Sequence, residues 1–217
     1  MAGGEGEVQY RSNVLRGPAN ALGLAMVGGP LERLLAERKR RVFADLPKTV
    51  LEIGPGIGAN FRYMAAGTKV LAVEPNPAMH ARLEAAARKH GVQLELHTAM
   101  AESLDMPNDS VPMVISSLVL CTVQNPSGAV AEILRVLQAG GRYAFVEHVA
   151  AAPCSRLRRL QHAVRRPWAY FFEGCSCERE LASVVGSAGF TAVELVEYEA
   201  GPRWLPVHTQ IAGVAVK

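Results

Sequence analysis

The amino-acid sequence predicts an α/β fold: a mostly parallel sheet with helices on both of its faces. Two observations lead to this prediction. Between residues 50 and 149, short apolar segments typical of buried strands alternate with segments of helical periodicity. The first of these strands runs directly into Gly54-Pro55-Gly56-Ile57-Gly58, a turn typical of folds that bind a nucleotide at the carboxyl ends of their strands. We therefore expect parallel strands joined by right-handed crossovers.

The composition fits one globular domain in a reducing compartment. Hydrophobic residues make up 49% and charged residues 20% of the 217 residues, which is enough for a sizeable core. The net charge of +3 is too small to indicate a nucleic-acid partner. Four unevenly placed cysteines are too few for a secreted disulfide scaffold, so we expect a cytoplasmic protein. Because no apolar run approaches the ~20 residues of a spanning helix, we expect membrane contact to be peripheral at most.

The first 46 residues are expected to form an N-terminal helical cap or lid, ahead of a main domain over residues 47–217. Residues 1–7 are Gly-rich and polar, so we expect them to be loosely held. Residues 10–29 predict a short helix pair on the open side of the domain; the alternatives are a lid over a ligand and a surface that touches lipid or an apolar substrate. Residues 31–46 have helical spacing, with the basic run Arg38-Lys39-Arg40-Arg41 on a solvated face.

From residue 50 to residue 97, three strands alternate with two helices. The strands are predicted over residues 50–53, 69–73 and 92–97, and a short helix over residues 59–66. Pro75-Asn76-Pro77 is a helix-starting turn. The helix that follows it places Met79, Leu83 and Ala87 on one face and ends near His90-Gly91.

The rest of the chain supplies two more strands of the parallel type and a late pair. A fourth strand is predicted over residues 111–120 and a fifth over residues 142–149. Between them, an amphipathic helix containing Val130, Ile133, Leu134 and Leu137 is expected to stop at Gly140-Gly141. Residues 153–174 are rich in arginine and aromatic residues, and residues 176–188 are expected to be helical. The apolar stretches 191–197 and 208–216 are predicted to close the sheet as a hairpin-like pair.

Two carboxylates suggest which ligand the glycine turn takes. Glu74 ends the second strand, 20 residues after Gly54, where an acidic side chain can bind ribose hydroxyls. Glu52 lies two residues before the turn, where it disfavours the pyrophosphate of a dinucleotide and attracts the sulfonium and ammonium of S-adenosylmethionine. The spacing G-x-G-x-G also differs from the G-x-G-x-x-G of dinucleotide binders, although Ala59 satisfies the looser G/A form. We predict an adenosyl cofactor; the alternative is a tight turn in any doubly wound protein.

Further motifs give the chain a resemblance to a known family. Besides the glycine turn, they are Val73-Glu74-Pro75-Asn76, Ala101-Glu102-Ser103-Leu104 ahead of Pro107, and Gln138-Ala139-Gly140-Gly141. On these motifs, residues 31–217 resemble class I S-adenosylmethionine-dependent methyltransferases. The resemblance implies a single Rossmann-like domain with a seven-stranded, mostly parallel sheet in the order 3-2-1-4-5-7-6, in which strand 7 is antiparallel.

A second set of motifs narrows the resemblance to the animal alkyl-thiol S-methyltransferases of the methyltransferase-like group. These motifs are Gly58-Ala59-Asn60-Phe61, Glu74-Pro75-Asn76-Pro77, Leu118-Val119-Leu120-Cys121-Thr122-Val123-Gln124, Glu147-His148-Val149, Gly174-Cys175 and Trp204-Leu205-Pro206-Val207. Members of that group carry an N-terminal membrane anchor. We find no convincing anchor in this sequence, so we expect a soluble or peripherally bound protein.

The resemblance also implies which residues hold the cofactor. Gly54, Pro55 and Gly56 let the backbone approach its methionine part, and Glu74 takes the ribose hydroxyls. Further positions lie beside the adenine or line the cofactor. Together with Glu52, the predicted cofactor-binding set is Glu52, Gly54, Pro55, Gly56, Glu74, Pro75, Asn76, Met79, Ala101, Glu102 and Leu118. Asn76 and Met79 are placed beside the adenine, Ala101 and Glu102 at its edge, and Leu118 at the end of the fourth strand.

The chain departs from the family pattern at two positions. Many relatives carry an acidic residue where this sequence has Met100, so the contact to the adenine amino group is expected to shift to Glu102 or to the backbone. Pro112 replaces a common aspartate on the fourth strand, which leaves the cofactor prediction unchanged.

Methyl transfer from a sulfonium is an in-line displacement, so orientation of the acceptor matters more than a strong base. For a thiol the need is smaller still, because a few per cent is already thiolate at neutral pH. We predict His148, at the carboxyl end of the fifth strand, as the catalytic residue, a general base or a group that orients the acceptor; the alternative is a structural histidine. Its neighbour Glu147 points to the opposite side of the strand, so one of the two faces the pocket.

No metal is expected from the sequence. Cys175-Ser176-Cys177 has only Cys121 and Cys154 elsewhere as further thiols, which gives no zinc-like pair of pairs. Two other features are open between a functional and a structural interpretation. The aromatic residues either wall an apolar substrate cavity or belong to the core, and the arginines either favour a thiolate or form a solvated face. The residues concerned are Trp168, Phe171, Phe172 and Trp204, and Arg156 to Arg166.

We therefore expect an S-adenosylmethionine-dependent methyltransferase that acts on a small lipophilic acceptor, with a thiol favoured and S-adenosylhomocysteine as the product. The first alternative is methylation at carbon, oxygen or nitrogen of a quinone, a natural product or a phospholipid headgroup. The second is a regulator that binds the cofactor without turnover. The small-molecule substrate is the expected partner, nucleic acid is not, and the oligomeric state is open.

Overall fold

A computed structural model of the chain describes residues 29–30 and 32–217. The helix pair predicted within residues 10–29 and most of the predicted lid therefore lie outside the described residues, as does the side chain of Leu31. Within the described part, no helix combines the length and the apolar character that crossing a membrane requires.

The described chain forms one seven-stranded sheet with helices on both faces. Helix α1 covers 32–42, and a single 3-10 turn covers Ala59–Tyr63. The other helices are α2 Pro77–His90, α3 Pro126–Val136, α4 Arg156–Phe171 and α5 Leu181–Gly186. The strands are β1 Thr49–Ile53, β2 Lys69–Val73, β3 Gln93–His97, β4 Val111–Ser117, β5 Leu137–His148, β6 Ala192–Glu199 and β7 Thr209–Val216.

The strand order is β3-β2-β1-β4-β5-β7-β6, which confirms the expected topology. The first five strands pair in parallel, and β7 runs antiparallel to both β5 and β6. The carboxyl ends of β1, β2, β4 and β5 therefore meet at one edge of the sheet. Open parallel sheets bind their ligands at this edge.

Two apolar layers enclose the sheet because successive residues of each buried strand face opposite sides. In β1, Leu51 and Ile53 pack with α3 and α5 on one face. Val50 packs on the other face, against Phe61 of the 3-10 turn and Leu83 of α2. Glu52 shares this second face with Val50, which places a carboxyl group inside an apolar layer.

The structure confirms α2 as the sequence predicts it. Asn76 caps the N-terminus, its side-chain oxygen accepting from the Ala78 N–H at 3.0 Å, and Pro77 follows at the first helical position. Gly91 ends the helix in the left-handed conformation, at φ 69°. Met79, Leu83 and Ala87 are buried on its inner face.

Several predicted boundaries are wrong. The helix predicted over 59–66 is only the 3-10 turn Ala59–Tyr63, and the helix predicted over 176–188 is shortened to α5 Leu181–Gly186. The strand predicted over 111–120 ends at Ser117, because Leu118 adopts a left-handed backbone with φ 59°.

The largest difference in boundaries lies between α3 and β5. Leu137 was expected in the helix but is the first residue of β5, where it pairs with Val111. The register then shifts before Met113 pairs with Arg142, and Gly140 lies in this irregular part with φ 72°. Gly140 and Gly141 therefore belong to an irregular part of a long strand and do not terminate a helix, as the sequence predicted they would.

Candidate functional site

The glycine turn leaves space at the carboxyl end of β1. Gly54 and Gly56 both have left-handed backbones, with φ 58° and 56°. A Cβ atom at Gly54 would lie 2.7 Å from the Val119 side chain, so Gly54 is required for packing. A Cβ atom at Gly56 would meet nothing within 4 Å. The chain beside Gly56 is therefore open to a ligand that approaches the backbone.

Glu74 ties this turn to the end of β2. Its Oε2 accepts from the Gly56 N–H at 2.9 Å, and its Oε1 accepts from the Asn76 N–H at 2.9 Å. The side chain is buried, which raises the pKa of its carboxyl above the ordinary value, although the two N–H donors oppose the shift. Because each carboxylate oxygen has a second lone pair, Glu74 keeps acceptor capacity toward a ligand.

Asn76 connects the end of β2 to a distant part of the chain. Its Nδ2 donates to Glu173 Oε1 at 2.8 Å, so the turn after α4 reaches across to the end of β2. Pro75 is half-buried between Glu74 and Asn76. Met79 is only 2% exposed, packed inside the fold one turn along α2.

The remaining residues of the predicted cofactor set lie near the start of α3 and after the end of β4. Glu102 Oε1 accepts from the backbone N–H groups of Gln124 and Asn125, at 2.7 and 3.0 Å, and so holds the loop that enters α3. Its Oε2 is buried without a hydrogen-bond partner among the described residues. Ala101 is buried in the apolar layer of α3, and the Leu118 N–H donates to Val146 O at 2.9 Å.

Glu52 is a buried carboxyl group with one unused oxygen. Asn60 Nδ2 donates to its Oε1 at 2.8 Å, whereas its Oε2 has no partner within the described chain. Burial raises the pKa of this group to about 7, more than the Asn60 hydrogen bond and the charge of Lys39 lower it. Lys39 itself pairs with Glu32 at 2.7 Å. Because this pKa lies near neutral pH, neighbouring charges decide whether Glu52 is neutral or ionised.

At the end of β5, Glu147 supports the turn that follows β4. Its carboxylate accepts from Ser116 Oγ at 2.8 Å and from the Val119 N–H at 2.9 and 3.1 Å. The side chain is fully buried, and burial raises its pKa to about 7. Glu147 is thus a positioning group, and its contacts fix the left-handed turn at Leu118.

His148 points away from Glu147, into a cluster with two cysteines. Its Nε2 lies 3.1 Å from Cys175 Sγ, and Cys121 is hydrogen-bonded to the same sulfur. Trp168 Nε1 donates to Cys175 Sγ at 3.3 Å. The three ligand atoms of Cys121, His148 and Cys175 all lie within 4.8 Å of one another, and all three side chains are buried.

The contacts in this cluster shift the two thiols in opposite directions. The pKa of Cys175 is lowered, first by the hydrogen bond from Cys121 and then by those from His148 and Trp168. The pKa of Cys121 is raised, because it donates to Cys175 and is buried. Negative charge is therefore favoured on Cys175.

The sequence-predicted residues thus fall into two neighbouring groups. The glycine turn, Glu74, Pro75 and Asn76 lie together at the ends of β1 and β2, which we call the predicted nucleotide edge, and His148 lies at the end of β5. The sequence interpretation missed Cys121 and Cys175 as partners of His148. Cys121 follows β4, the neighbour of β5, so strand adjacency could have suggested it, whereas Cys175 arrives from a turn beyond α4.

The late aromatic residues are mostly outside the core. Phe171, Phe172 and Trp204 are 66%, 46% and 71% exposed, which contradicts the interpretation of these side chains as plain core. Trp168 packs against Phe172 in a tilted arrangement, with ring centroids 4.3 Å apart, and its indole nitrogen donates to Cys175. Trp168 is therefore the aromatic side chain of this group that lies at the cysteine cluster.

Comparison with known proteins gives matches at the level of sequence. Residues 51–145 match a sequence family described as a methyltransferase domain. The chain is similar to human thiol S-methyltransferase TMT1A, at 34% identity over 195 residues, covering 84% of this chain and 80% of that protein. It is also similar to mouse thiol S-methyltransferase TMT1B, at 35% identity over 206 residues, covering 89% and 84%.

Solved structures share the fold at lower identity. The [4+2]-cyclase SpnF matches with a TM-score of 0.67 at 18% identity, covering 86% of this chain and 80% of that one. A SAM-dependent methyltransferase from Aquifex aeolicus matches with a TM-score of 0.63 at 16% identity, covering 90% and 97%. Because one of these proteins is a cyclase, the fold alone does not determine the reaction, which has to be argued from the site.

Proposed function

The chain belongs to the methyltransferase family that includes these thiol S-methyltransferases, and we propose that it moves a methyl group from S-adenosylmethionine to a small lipophilic thiol. The similarity to the two thiol S-methyltransferases over more than four fifths of the chain supports the reaction. The proposal that the acceptor is a thiol depends on one observation, the buried cluster of His148, Cys175 and Cys121 at the carboxyl ends of β4 and β5.

The residues at the sheet edge fit an adenosyl cofactor. We assign the open space beside Gly56 to the methionine part of the cofactor, and Glu74 and Asn76 at the end of β2 to its ribose and adenine. The unpartnered oxygens of Glu52 and Glu102 are buried acceptors that a cationic or amino-bearing ligand would satisfy. Pro55, Pro75, Met79, Ala101 and Leu118 complete the proposed set.

When bound, the cofactor supplies an activated methyl group on a sulfonium. The task of the protein is then to hold the acceptor sulfur in line behind that methyl group and to exclude water. Positioning of this kind contributes on the order of 7 to 11 kcal/mol. The Asn76–Glu173 hydrogen bond supports this picture, because it links the turn that carries Cys175 to Asn76, a residue of the proposed cofactor set.

We propose that His148 acts on the S–H group of the acceptor, alone or through the sulfur of Cys175, which lies 3.1 Å from its Nε2. His148→Ala should lower kcat much more than it weakens cofactor binding. His208→Ala is the control, since His208 is also buried, just before β7, but it bonds to Ala200 O and takes no part in the cysteine cluster. An unchanged rate in His148→Ala at every pH would return this side chain to a structural role.

The acceptor class is tested with purified protein, S-adenosylmethionine and a panel of aliphatic thiols, phenols and amines. We expect methylated product from the thiols, detected by mass spectrometry. Product from phenols or amines alone would replace this proposal by O- or N-methylation. Binding of the cofactor without any product would support a regulator without turnover. A cytoplasmic location is also our proposal, and fractionation of cells tests it.

A further inference from the structure

We propose that Cys121, His148 and Cys175 form a three-ligand zinc site, whose fourth position takes the acceptor sulfur as a thiolate. The metal site is inferred from these three side chains themselves. The role of the fourth position rests on the proposed thiol methylation. In this arrangement His148 binds the zinc through Nε2 and acts on the acceptor through the metal, which acidifies the acceptor thiol.

The spread of the three ligand atoms suits one small ion. Zinc binds thiolate sulfur at about 2.3 Å and imidazole nitrogen at about 2.0–2.1 Å, so tetrahedral ligand atoms lie roughly 3.5–3.8 Å apart. Here Nε2 and the Cys175 sulfur are 3.1 Å apart, and all pairs lie within 4.8 Å. Side-chain shifts of no more than about 1 Å bring the cluster to coordination distances.

Backbone contacts hold the three ligands in place from separate parts of the chain. The Ser176 N–H donates to Cys121 O at 2.8 Å, which joins the turn after α4 to the turn after β4. Arg179 donates to Leu120 O at 2.7 Å and to Val123 O, so it binds the same β4 turn on either side of Cys121. His148 is the last residue of β5 and has little freedom. Such preorganisation favours metal binding.

The surroundings of the sulfurs match those of a metal thiolate. Trp168 Nε1–H points at Cys175 Sγ at 3.3 Å, an outer hydrogen bond of the kind that orients metal ligands. Two cysteines and one histidine with an open position form a donor set typical of catalytic zinc.

The cluster also lies where an acceptor has to be. Cys121 Sγ contacts Leu118 O at 3.4 Å, and Leu118 belongs to the proposed cofactor set. Glu173, two residues before Cys175, bonds to Asn76 at the nucleotide edge. A sulfur held at the fourth position would therefore lie next to the cofactor. Cysteine spacing along the chain does not indicate this cluster, because its third side chain is a histidine from β5.

The proposed step balances as a simple displacement. Binding to zinc acidifies the acceptor thiol, and its S–H proton passes to solvent. A sulfur lone pair then forms the new S–CH₃ bond while the methyl–sulfonium bond of the cofactor breaks. The electron pair of that bond stays on the cofactor sulfur and leaves neutral S-adenosylhomocysteine. The product is a neutral thioether, a weaker ligand than a thiolate, so it leaves the metal.

Zinc alone is the probe for the site. The full chain, kept reduced, is loaded with zinc, dialysed and analysed by mass spectrometry for metal content. We expect about one zinc per chain, and a loss of most of it in Cys121→Ser, Cys175→Ser and His148→Ala. Cys177→Ser is the matched control, because Cys177 is equally buried but bonds to Gln161 O. Zinc that is absent from the wild type, or retained equally in all variants, would overturn the inference.

Cobalt substitution tests the fourth position. Co²⁺ in a site with two thiolates should show a thiolate-to-metal charge-transfer band and the intense visible bands of four-coordination, and an added aliphatic thiol should change both. A spectrum that no thiol alters would refute the coordination of the acceptor.

The two proposals fail in different ways. Thiol methylation that survives complete removal of the metal would refute the role of zinc in binding the acceptor but support the proposed function. A protein that holds zinc through these three residues and methylates no thiol would refute the proposed function and leave the site standing.

Discussion

Glu52→Gln should remove a pH dependence from the stability of the protein. Glu52 is fully buried, and burial raises the pKa of its carboxyl from 4.5 to about 7. Between these two values the folded protein keeps the proton, whereas the unfolded chain has lost it. The free energy of unfolding therefore falls as pH rises from about 4.5 to about 7, and it stays at the lower level above that range.

The magnitude follows from the size of the pKa change. One pKa step is worth about 1.4 kcal/mol, so the change from 4.5 to about 7 corresponds to about 3 kcal/mol. The glutamine amide does not titrate. Its carbonyl oxygen still accepts from Asn60, which replaces the 2.8 Å contact of the carboxyl group. Relative to the wild type, the variant should thus gain about 3 kcal/mol between pH 4.5 and pH 8.

Urea unfolding of both proteins at several pH values measures this difference, and comparison of the two cancels the other titrating groups. Glu132→Gln is the control. Its carboxylate is hydrogen-bonded to Arg135, which lowers its pKa, so the effect of this substitution should not change over the same pH range. A stability difference between Glu52→Gln and the wild type that is the same at pH 5 and pH 8 would refute the reasoning.

Two further predictions concern the nucleotide edge. Glu74→Ala removes the carboxylate proposed for the ribose, which should weaken cofactor binding by roughly 10- to 150-fold in calorimetry. Glu84→Ala, on the exposed side of α2, is the control and should leave the affinity unchanged. An unaltered affinity in Glu74→Ala would contradict the assignment. Gly56→Ala should weaken cofactor binding and lower the free energy of unfolding by about 1–2 kcal/mol, because its backbone is left-handed. Gly54→Ala should lower the free energy of unfolding by about 1–3 kcal/mol more, because its Cβ would clash with Val119. Thermal and urea unfolding measure both changes. Equal effects of the two alanines on stability would show that the space beside Gly56 is not open.

Local chemistry made much of the fold predictable. β2 and α2 are marked in the sequence by an apolar run, by Asn76 before Pro77, and by Gly91 after the last turn. These signals act through neighbouring backbone groups, so they need no knowledge of the rest of the chain. Leu137 was misplaced because an apolar residue with helical spacing also suits a buried strand. Its pairing with Val111, 26 residues earlier in the chain, decided the outcome.

The alternation of strands and helices, the glycine turn and the two acidic residues beside it are readable from the sequence, because they depend on periodicity and on spacing along one short stretch. The enclosure of Glu52 in an apolar layer, which governs its protonation, depends on how α2 and the 3-10 turn pack on the sheet. The tertiary structure also decides that His148 meets Cys121 and Cys175. These residues come from three different elements, and the distances between their side chains depend on how the β4 turn, the end of β5 and the turn after α4 pack together.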